Sequence, residues 1–509
     1  MPATFSGPPS PLAPRPSGTS RARKLRARVR RPGTARSATA HGDSERVHSI
    51  SPARCAPPAS SPVSAAHHRL DLARHLAQRA GFAERPAKIV QAAEAGHADS
   101  VAALFAPPSS IADASAPGWT ARPAVSFKAI RAEYEDEEPK RLASRALAKA
   151  ERSLIADLRA WWLATLIVTE DPLGARMTLF WQNHFTSGHR KVRHATLLLE
   201  QQKEISRRAL GGFRDLLVAM LTDPAMLLYL DANRNRKARP NENLARELLE
   251  LFTLGEGHYS ERDVRETARA LTGLSVDDAL SFRFRPGAHD PDDKTILGTT
   301  GPFFGVEPIA DAILARPAAA RRVATKLWVH LVSPDPDADT VEDWTRAYRD
   351  SGHDTGALVH RILTSEAFLD RGHRGLLVKS PIEYVVGSHR ALALPPSEGE
   401  TLVGACLSMQ QAPYEPPNVA GWPGGRSWIN SQTLLARTRF VNRLVRDDSI
   451  DPAALVAGLD HPSLAATLVP ESELAPELRD VRLERAAAAD RSVGFEIAGL
   501  LGSPLWHLA

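Results

Sequence analysis

This 509-residue sequence lacks the features that assign many proteins to a known class. It has two cysteines, Cys55 and Cys406, which excludes a disulfide-stabilised scaffold and a zinc site built from cysteines. No run approaches the roughly 18 consecutive apolar residues that cross a bilayer. There is no P-loop, dinucleotide fingerprint, zinc-protease helix or Gly-x-Ser-x-Gly elbow. We therefore expect a soluble protein, and no motif names its reaction or a cofactor.

Positive charge is concentrated in the first 65 residues. They carry eleven Arg and Lys against Asp43 and Glu45, so a chain of net charge +5 has a mildly acidic remainder. The segment is rich in Pro, Ser and Ala without apolar periodicity, which predicts a disordered basic tail. The acidic remainder argues against nucleic-acid binding by the folded part. Arg30 and Arg31 are followed by Pro-Gly-Thr-Ala rather than an apolar stretch, so we identify no export signal and expect a cytoplasmic protein unless the start site is misassigned.

Helical periodicity dominates residues 68–509, and strand-like alternation is nearly absent. We therefore predict an all-α, or mainly α, multi-helix domain over 68–509 with little β-structure. Two irregular segments interrupt the helices: the first loop, residues 281–305, and the second loop, residues 414–430. Loops of this length inside a packed domain are often functional.

The clearest start and stop signals lie in residues 239–273, RPNENLARELLELFTLGEGHYSERDVRETARALTG. Pro240 suits a first helical position, Gly255 a helix end, and Ser260 with Asp263 a capping box that begins a second helix. At 100° per residue one arc of the first helix is apolar, and we expect Leu248 and Leu251 of this arc at the heart of the core. The opposite arc is polar and comprises Glu242, Asn243, Arg246, Glu247 and Glu250.

The polar arc is the first candidate site. Asn243, Glu247 and Glu250 lie at i, i+4 and i+7, and carboxylates so spaced can hold a divalent ion or share a proton. The alternative is a solvated face on which Glu242 pairs with Arg246. We expect Arg246 and Glu247 to be partly buried and bonded to other segments, with His289 or Asn418 as the likeliest distant neighbours.

The loops and one histidine supply the remaining candidates. His289, Asp290 and Lys294 lie in the first loop, where they could form a metal or acid–base site or stabilise a turn. Asn418 and Trp422 of the second loop could wall a pocket or cover the core. His184, among aromatic residues, is either a metal ligand or a hydrogen-bonded core residue. The candidate catalytic residues are therefore Glu247, Glu250, His289 and Asp290. The candidate ligand-binding residues are Asn243, Arg246, Lys294, Asn418 and Trp422, and the candidate metal ligand is His184.

Several blocks of this sequence resemble a bacterial family known as domain of unknown function 1800. They include residues 239–273 together with FWQNHF (180–185), DPAMLLYLD (223–231), HD (289–290), KTILG (294–298), KSPIEYVVG (379–387) and PPNVAGWPGG (416–425). The resemblance covers roughly residues 68–509 and implies no established activity. Members often have His-Asn-His where this chain has Gln182, Asn183 and His184, which weakens a two-histidine metal site. Members are also often exported.

Two functional hypotheses follow. The first is a hydrolase-like enzyme whose pocket joins the polar helix face to the two loops. The second is a non-enzymatic interaction or assembly protein. Its implied partner belongs to the domain-of-unknown-function 1501 family, whose genes tend to neighbour those of this family. Convergence of the candidate residues on one cleft would favour the enzyme.

Overall fold

Helices dominate the computed structural model, which describes residues 62–106, 116–121, 124–446, 467 and 492–509. The predicted mainly α class is confirmed. The predicted disordered tail lies outside the described residues, except that the first helix begins at Pro62, four residues inside it. No helix in the described part of the chain is both long and apolar enough to cross a bilayer.

The helices before the signature stretch are α1 (Pro62–Arg79), α2 (Pro86–Ala95), α3 (His97–Phe105), α4 (Phe127–Ala132), α5 (Glu137–Val168), α6 (Pro172–His184), α7 (His189–Val192), α8 (Ala195–Arg208), α9 (Phe213–Thr222) and α10 (Pro224–Tyr229). The signature stretch forms α11 (Asn243–Glu247), a π-helical turn (Leu248–Thr253) and α12 (Glu261–Ala270). After it come the strands β1 (Leu274–Val276), β2 (Phe282–Phe284), β3 (Lys294–Ile296) and β4 (Thr299–Gly301). The later helices are α13 (Glu307–Leu314), α14 (Pro317–Leu331), α15 (Ala338–Asp350), α16 (Thr355–Leu363), α17 (Glu366–Leu369), α18 (Pro381–Ala391), α19 (Gly399–Ser408), α20 (Ser431–Leu444) and α21 (Ser492–Leu501).

The four strands form two small antiparallel hairpins, β1–β2 and β3–β4. In the second hairpin Ile296 pairs with Thr299, which leaves Leu297 and Gly298 as a two-residue loop. Both loop residues have positive φ, 50° and 83°, as the favoured hairpin turns require. The first loop therefore contains one complete hairpin, β3–β4, and the second strand of the other.

Two hydrophobic cores meet at α6. One contains Trp181, Phe252 and Trp328 and extends over α8 to α16. The other contains Trp162 and Trp506 and joins α5 to α18, α19, α20 and α21. Helix α6 contributes residues to both cores, so its C-terminal end lies deep in the molecule.

The signature helix departs from regular α geometry after Glu247. Its final segment is π-helical, with the Leu254 N–H bonded to the Leu249 carbonyl at 2.9 Å. In a π turn each N–H bonds to the carbonyl five residues before it. Residues in and after the turn therefore do not lie on the helix face that a period of 3.6 residues per turn predicts. Leu248 is fully buried as expected, whereas Leu251 is only partly buried, so that expectation was wrong.

The ends of the two signature helices were predicted with unequal success. The capping box of Ser260 and Asp263 is present, which confirms the start of α12. Pro240 does not begin α11; the Asn241 side chain instead accepts the Asn243 N–H at 3.0 Å ahead of the helix. Asn241 is itself held by Asn235, so the entry to α11 is fixed by side-chain bonds.

Candidate functional site

His184 ends α6 inside a cage of aromatic side chains. Its ring lies 4.6 Å from that of Phe185 and 5.1 Å from that of Trp181, centroid to centroid. Its Nε2 lies 2.8 Å from the Phe252 carbonyl oxygen and its Nδ1 lies 2.9 Å from Lys326 Nζ. Since a carbonyl can only accept, Nε2 carries the hydrogen and Nδ1 accepts one from the amine. Burial, reinforced by the Lys326 charge, holds the pKa of His184 well below its usual value, so the imidazole is neutral.

The π turn presents two backbone carbonyls to side chains from other helices. The Phe252 carbonyl accepts from His184, and the Leu251 carbonyl accepts from Arg322 Nε at 3.4 Å and Nη2 at 3.3 Å. Lys326 Nζ also reaches the Leu251 carbonyl, at 3.5 Å. The last carbonyls of a helix lack intrahelical partners and attract cations, so these contacts cap the helix. We call His184, Arg322, Lys326 and these two carbonyls, with Glu250, the π-turn cluster.

The pKa of Lys326 also departs strongly from its ordinary value. Burial, and secondarily the Arg322 charge, lowers its pKa to about 7. The side chain is nevertheless only partly buried. A large fraction of Lys326 is therefore a neutral amine at neutral pH, and such an amine can accept a proton or attack a carbonyl.

Two predicted carboxylates lie near each other, Glu250 in the cluster and Glu247 three residues before it. Glu250 accepts a hydrogen bond of 2.7 Å from the Tyr259 hydroxyl, and its charge opposes the burial that lowers the pKa of Arg322. Burial, and then the Glu250 charge, raises the pKa of Glu247. No hydrogen bond or ion pair among the described residues involves the Glu247 side chain. Both carboxylates are partly exposed, so they can meet a ligand from solvent.

The other polar residues of α11 have structural partners. Arg246 bonds to Glu261 at 2.8 and 2.9 Å and to Glu242 at 3.3 Å. Asn243 donates to the Leu230 carbonyl at 3.1 Å, which ties α11 to the end of α10. Arg246 is partly buried as expected, but its partners are not the loop residues that we predicted as neighbours.

The candidates in the first loop are buried and bonded to their own surroundings. His289 Nδ1 lies 2.9 Å from the Thr272 carbonyl, and the Asp290 carboxylate accepts from Arg269 Nε at 2.8 Å. Lys294 donates to the Pro302 carbonyl at 2.9 Å and to the Asp290 carbonyl. These contacts fasten the hairpins to α12, and none of them reaches the π-turn cluster.

The second loop is fastened to the end of α6 by a residue that we did not predict, Asn183. Its Oδ1 accepts the Trp422 N–H at 2.8 Å, and its Nδ2 donates to the Trp422 carbonyl at 3.3 Å. Thr186 donates to the Val419 carbonyl. Asn418 is exposed and accepts the Ala420 N–H at 2.9 Å, so it shapes the turn. Trp422 thus borders the residue next to His184, whereas Asn418 faces solvent.

The similarity of this chain to known proteins agrees with the blocks described above. A family model described as "Protein of unknown function (DUF1800)" matches residues 75–504. The chain belongs to the DUF1800 family. No curated protein and no solved structure matches it.

A metal centre finds little support in this DUF1800 chain. Both ring nitrogens of His184 are engaged, one by a carbonyl and one by Lys326. Across residues 62–106, 116–121, 124–446, 467 and 492–509, no three His, Cys, Asp or Glu side chains are placed to share an ion. The amine, imidazole, guanidinium and carboxylate at the π-turn cluster are groups that can transfer protons and stabilise charge.

A cleft of about 550 Å³ lies beside the first loop, away from the polar face of α11. Its lining includes Arg236, Lys237, Arg283 and Arg285, all exposed. None of the four forms an ion pair with another described residue. The cleft is therefore a positively charged concavity suited to an anionic ligand or an acidic protein surface.

Proposed function

We propose that this DUF1800 protein is a hydrolase-like enzyme whose catalytic centre is the π-turn cluster. One observation carries the proposal. The amine of Lys326, a residue that is only partly buried, lies 2.9 Å from Nδ1 of a buried neutral imidazole. A lysine is an effective general base or nucleophile at neutral pH only when its surroundings favour the neutral amine.

The neighbouring groups suit the remaining steps of a hydrolysis. In this proposal Lys326 takes a proton from an attacking water. The Arg322 guanidinium stabilises negative charge that develops on the substrate oxygen. Glu247, whose pKa is raised by burial and by Glu250, donates a proton to the leaving group.

The competing explanation is that Lys326 and Arg322 only cap the signature helix. Lys326→Arg separates the two roles, because arginine keeps the cation near the Leu251 carbonyl but cannot release its proton. Lys326→Met removes both the charge and the amine. Lys128→Met is the matched control, because Lys128 is 80% exposed and bonds only the surface carboxylate of Asp278.

The test is turnover of chromogenic esters, phosphomonoesters and anilides by the wild-type protein and these variants. We expect Lys326→Arg and Lys326→Met to lose about 10²–10⁴-fold in kcat, the usual contribution of a general base. Lys128→Met should match the wild type. Lys326→Arg should also keep its melting temperature. The proposal fails if the wild-type protein turns over none of these substrates, or if Lys326→Arg retains full activity.

A second candidate function is favoured by the basic cleft. There the protein would act as an interaction or assembly module that binds an acidic surface of a partner, such as the domain-of-unknown-function 1501 protein implied by gene neighbourhood. Combined Arg283→Glu and Arg285→Glu substitutions should abolish co-purification with that partner, and exposed Arg443→Glu in α20 should not. If co-purification changes neither with salt concentration nor on charge reversal, this candidate function is eliminated.

A further inference from the structure

Four cationic side chains from different parts of the chain are buried together in the interior. They are Arg79 at the end of α1, Arg176 in α6, Lys379 just before α18 and Arg437 in α20. Their exposed fractions lie between 0% and 3%, although such residues are rarely buried without partners. Direct contacts connect the group: Arg437 Nη2 donates to the Lys379 carbonyl at 2.7 Å, and Arg176 pairs with Glu383, four residues after Lys379.

Among the described residues a single carboxylate, Glu383, acts on all four cations, and its one negative charge is already paired with Arg176. One of its oxygens pairs with Arg176. The other accepts the Ser380 N–H at 2.7 Å, which completes the capping box of α18. Each further cation therefore has to be compensated by some other group.

Several donors of these cations have no acceptor. Lys379 Nζ, Nε and Nη1 of Arg79, Nε and Nη1 of Arg437, and Nε of Arg176 are all buried without a hydrogen bond. Aromatic faces supply part of the compensation. Lys379 Nζ lies 3.6 Å from the Trp506 ring centroid, and the Arg437 guanidinium carbon lies 4.5 Å from that of Tyr384.

The other titratable groups that face the cluster carry no negative charge. Burial, with the charges of Arg437 and Lys379, lowers the pKa of His507 to about 4. Burial, with Arg176 and Arg79, holds the pKa of His330 well below its usual value. Both rings are therefore neutral, and both have a buried Nε2 without a partner.

This arrangement is costly unless something compensates the charge. A buried ion without a counter-charge destabilises a fold by several kcal/mol, and each unsatisfied buried donor adds about 1–3 kcal/mol. Lys379 can become neutral by losing its proton, but the three arginines cannot. Even with Lys379 neutral, three guanidinium groups remain against Glu383 alone.

We propose that this buried cluster is the binding site of a small inorganic anion of the size of chloride, held by Lys379, Arg79 and Arg437. The ligand is a small ion rather than a metabolite, because the side chains that would hold it are at most 3% exposed and are closely surrounded by other segments. The anion fastens α1, α20 and the segment before α18 to one another. This site is independent of the function proposed for the π-turn cluster.

The test uses bromide, because its anomalous scattering identifies it in a crystal. Crystals of the wild-type protein grown with sodium bromide should show an anomalous peak within about 3.5 Å of Lys379 Nζ or of the guanidinium groups of Arg79 and Arg437. In solution, replacing sodium gluconate by sodium chloride at constant ionic strength should raise the melting temperature. Above the dissociation constant the rise should be about 1–2 °C for each tenfold increase in chloride.

Lys379→Met should lose both the bromide peak and the chloride-specific rise, whereas the surface control Lys128→Met should keep them. If Lys379→Met does not fold, the wild-type measurements decide. A wild-type crystal without bromide at the cluster, together with equal melting temperatures in chloride and gluconate, overturns the proposal. A peak that persists in Lys379→Met overturns the part assigned to that lysine. A rise with inorganic phosphate but not with chloride overturns the proposed size of the anion.

Discussion

The contact between the second loop and α6 gives a prediction whose size follows from the geometry. Gly421 has φ +84°, and a Cβ added there would lie 2.4 Å from Asn183 Oδ1 and 2.6 Å from the Asn183 carbonyl oxygen. An alanine at this position must therefore push the loop away from the helix end. The movement breaks both hydrogen bonds between Asn183 and the Trp422 backbone.

The expected cost has two parts. A side chain in the left-handed region costs roughly 1–2 kcal/mol, and two lost hydrogen bonds cost about 1 kcal/mol each. Gly421→Ala should therefore lower the free energy of unfolding by about 3–4 kcal/mol. Gly257 is the matched control, because its φ is +83° and a Cβ there would meet nothing within 4 Å. Gly257→Ala should thus cost only the first part, about 1–2 kcal/mol.

Urea unfolding of both variants and of Asn183→Ala provides the assay. Asn183→Ala removes the same two hydrogen bonds without backbone strain and should fall between the glycine variants, at about 2–3 kcal/mol. Equal losses for Gly421→Ala and Gly257→Ala would refute the close approach. If Asn183→Ala leaves the free energy of unfolding unchanged, the Asn183 side chain does not anchor the loop.

Three further predictions concern buried or titratable residues. Leu248→Ala should lower the free energy of unfolding, measured in urea, by about 2–5 kcal/mol. Leu251→Ala should lower it by less than half as much, because Leu251 is only partly buried. Equal losses would contradict the π turn. Glu247→Gln keeps the shape of the side chain and removes its charge, so it should reduce any turnover at least about tenfold with little change in melting temperature; a fall in stability at unchanged turnover would indicate a structural role. Burial raises the pKa of Asp223 to about 7, so the folded state retains a proton between about pH 4 and 7 that the unfolded state has lost, and stability should fall as pH rises through that window. Asp223→Asn should flatten that slope, which a series of urea titrations between pH 4 and 8 would reveal.

The features of the fold that depend on residues a few positions apart could be predicted from the sequence. Helical periodicity and the capping box of Ser260 and Asp263 involve residues a few positions apart, so the mainly α class and the start of α12 could be recognised. The π turn could not be recognised, because the same apolar spacing is compatible with i+4 and i+5 bonding. For this reason Leu251, which the regular helical period places at the centre of the core, lies at its edge.

The candidate site depends instead on contacts between distant segments. Lys326 is 142 positions from His184, and Trp422 is 239 positions from Asn183, so no local pattern links them. The sequence did show a polar residue, Asn183, among aromatic ones at a helix end, and that was the available signal. The first-loop residues His289 and Asp290 share a motif with the signature stretch but bond to the hairpins and α12.

The buried cations went unnoticed for a different reason. Arg79, Lys379 and Arg437 each stand in a segment where a charged residue normally marks the solvated face. Only the packing of several segments around them shows that they are inside.

Chemical labelling of Lys326 as a function of pH tests whether this residue is a reactive amine at neutral pH. The protein would be treated briefly with an amine-selective acylating reagent between pH 5 and 11, and the modified lysines quantified by peptide mass spectrometry. Exposed Lys128 monitors the reagent in the same samples. We expect labelling of Lys326 to reach half its maximum near pH 7. A midpoint near the ordinary lysine value of about 10.4, or no labelling of Lys326 at any pH, would contradict it.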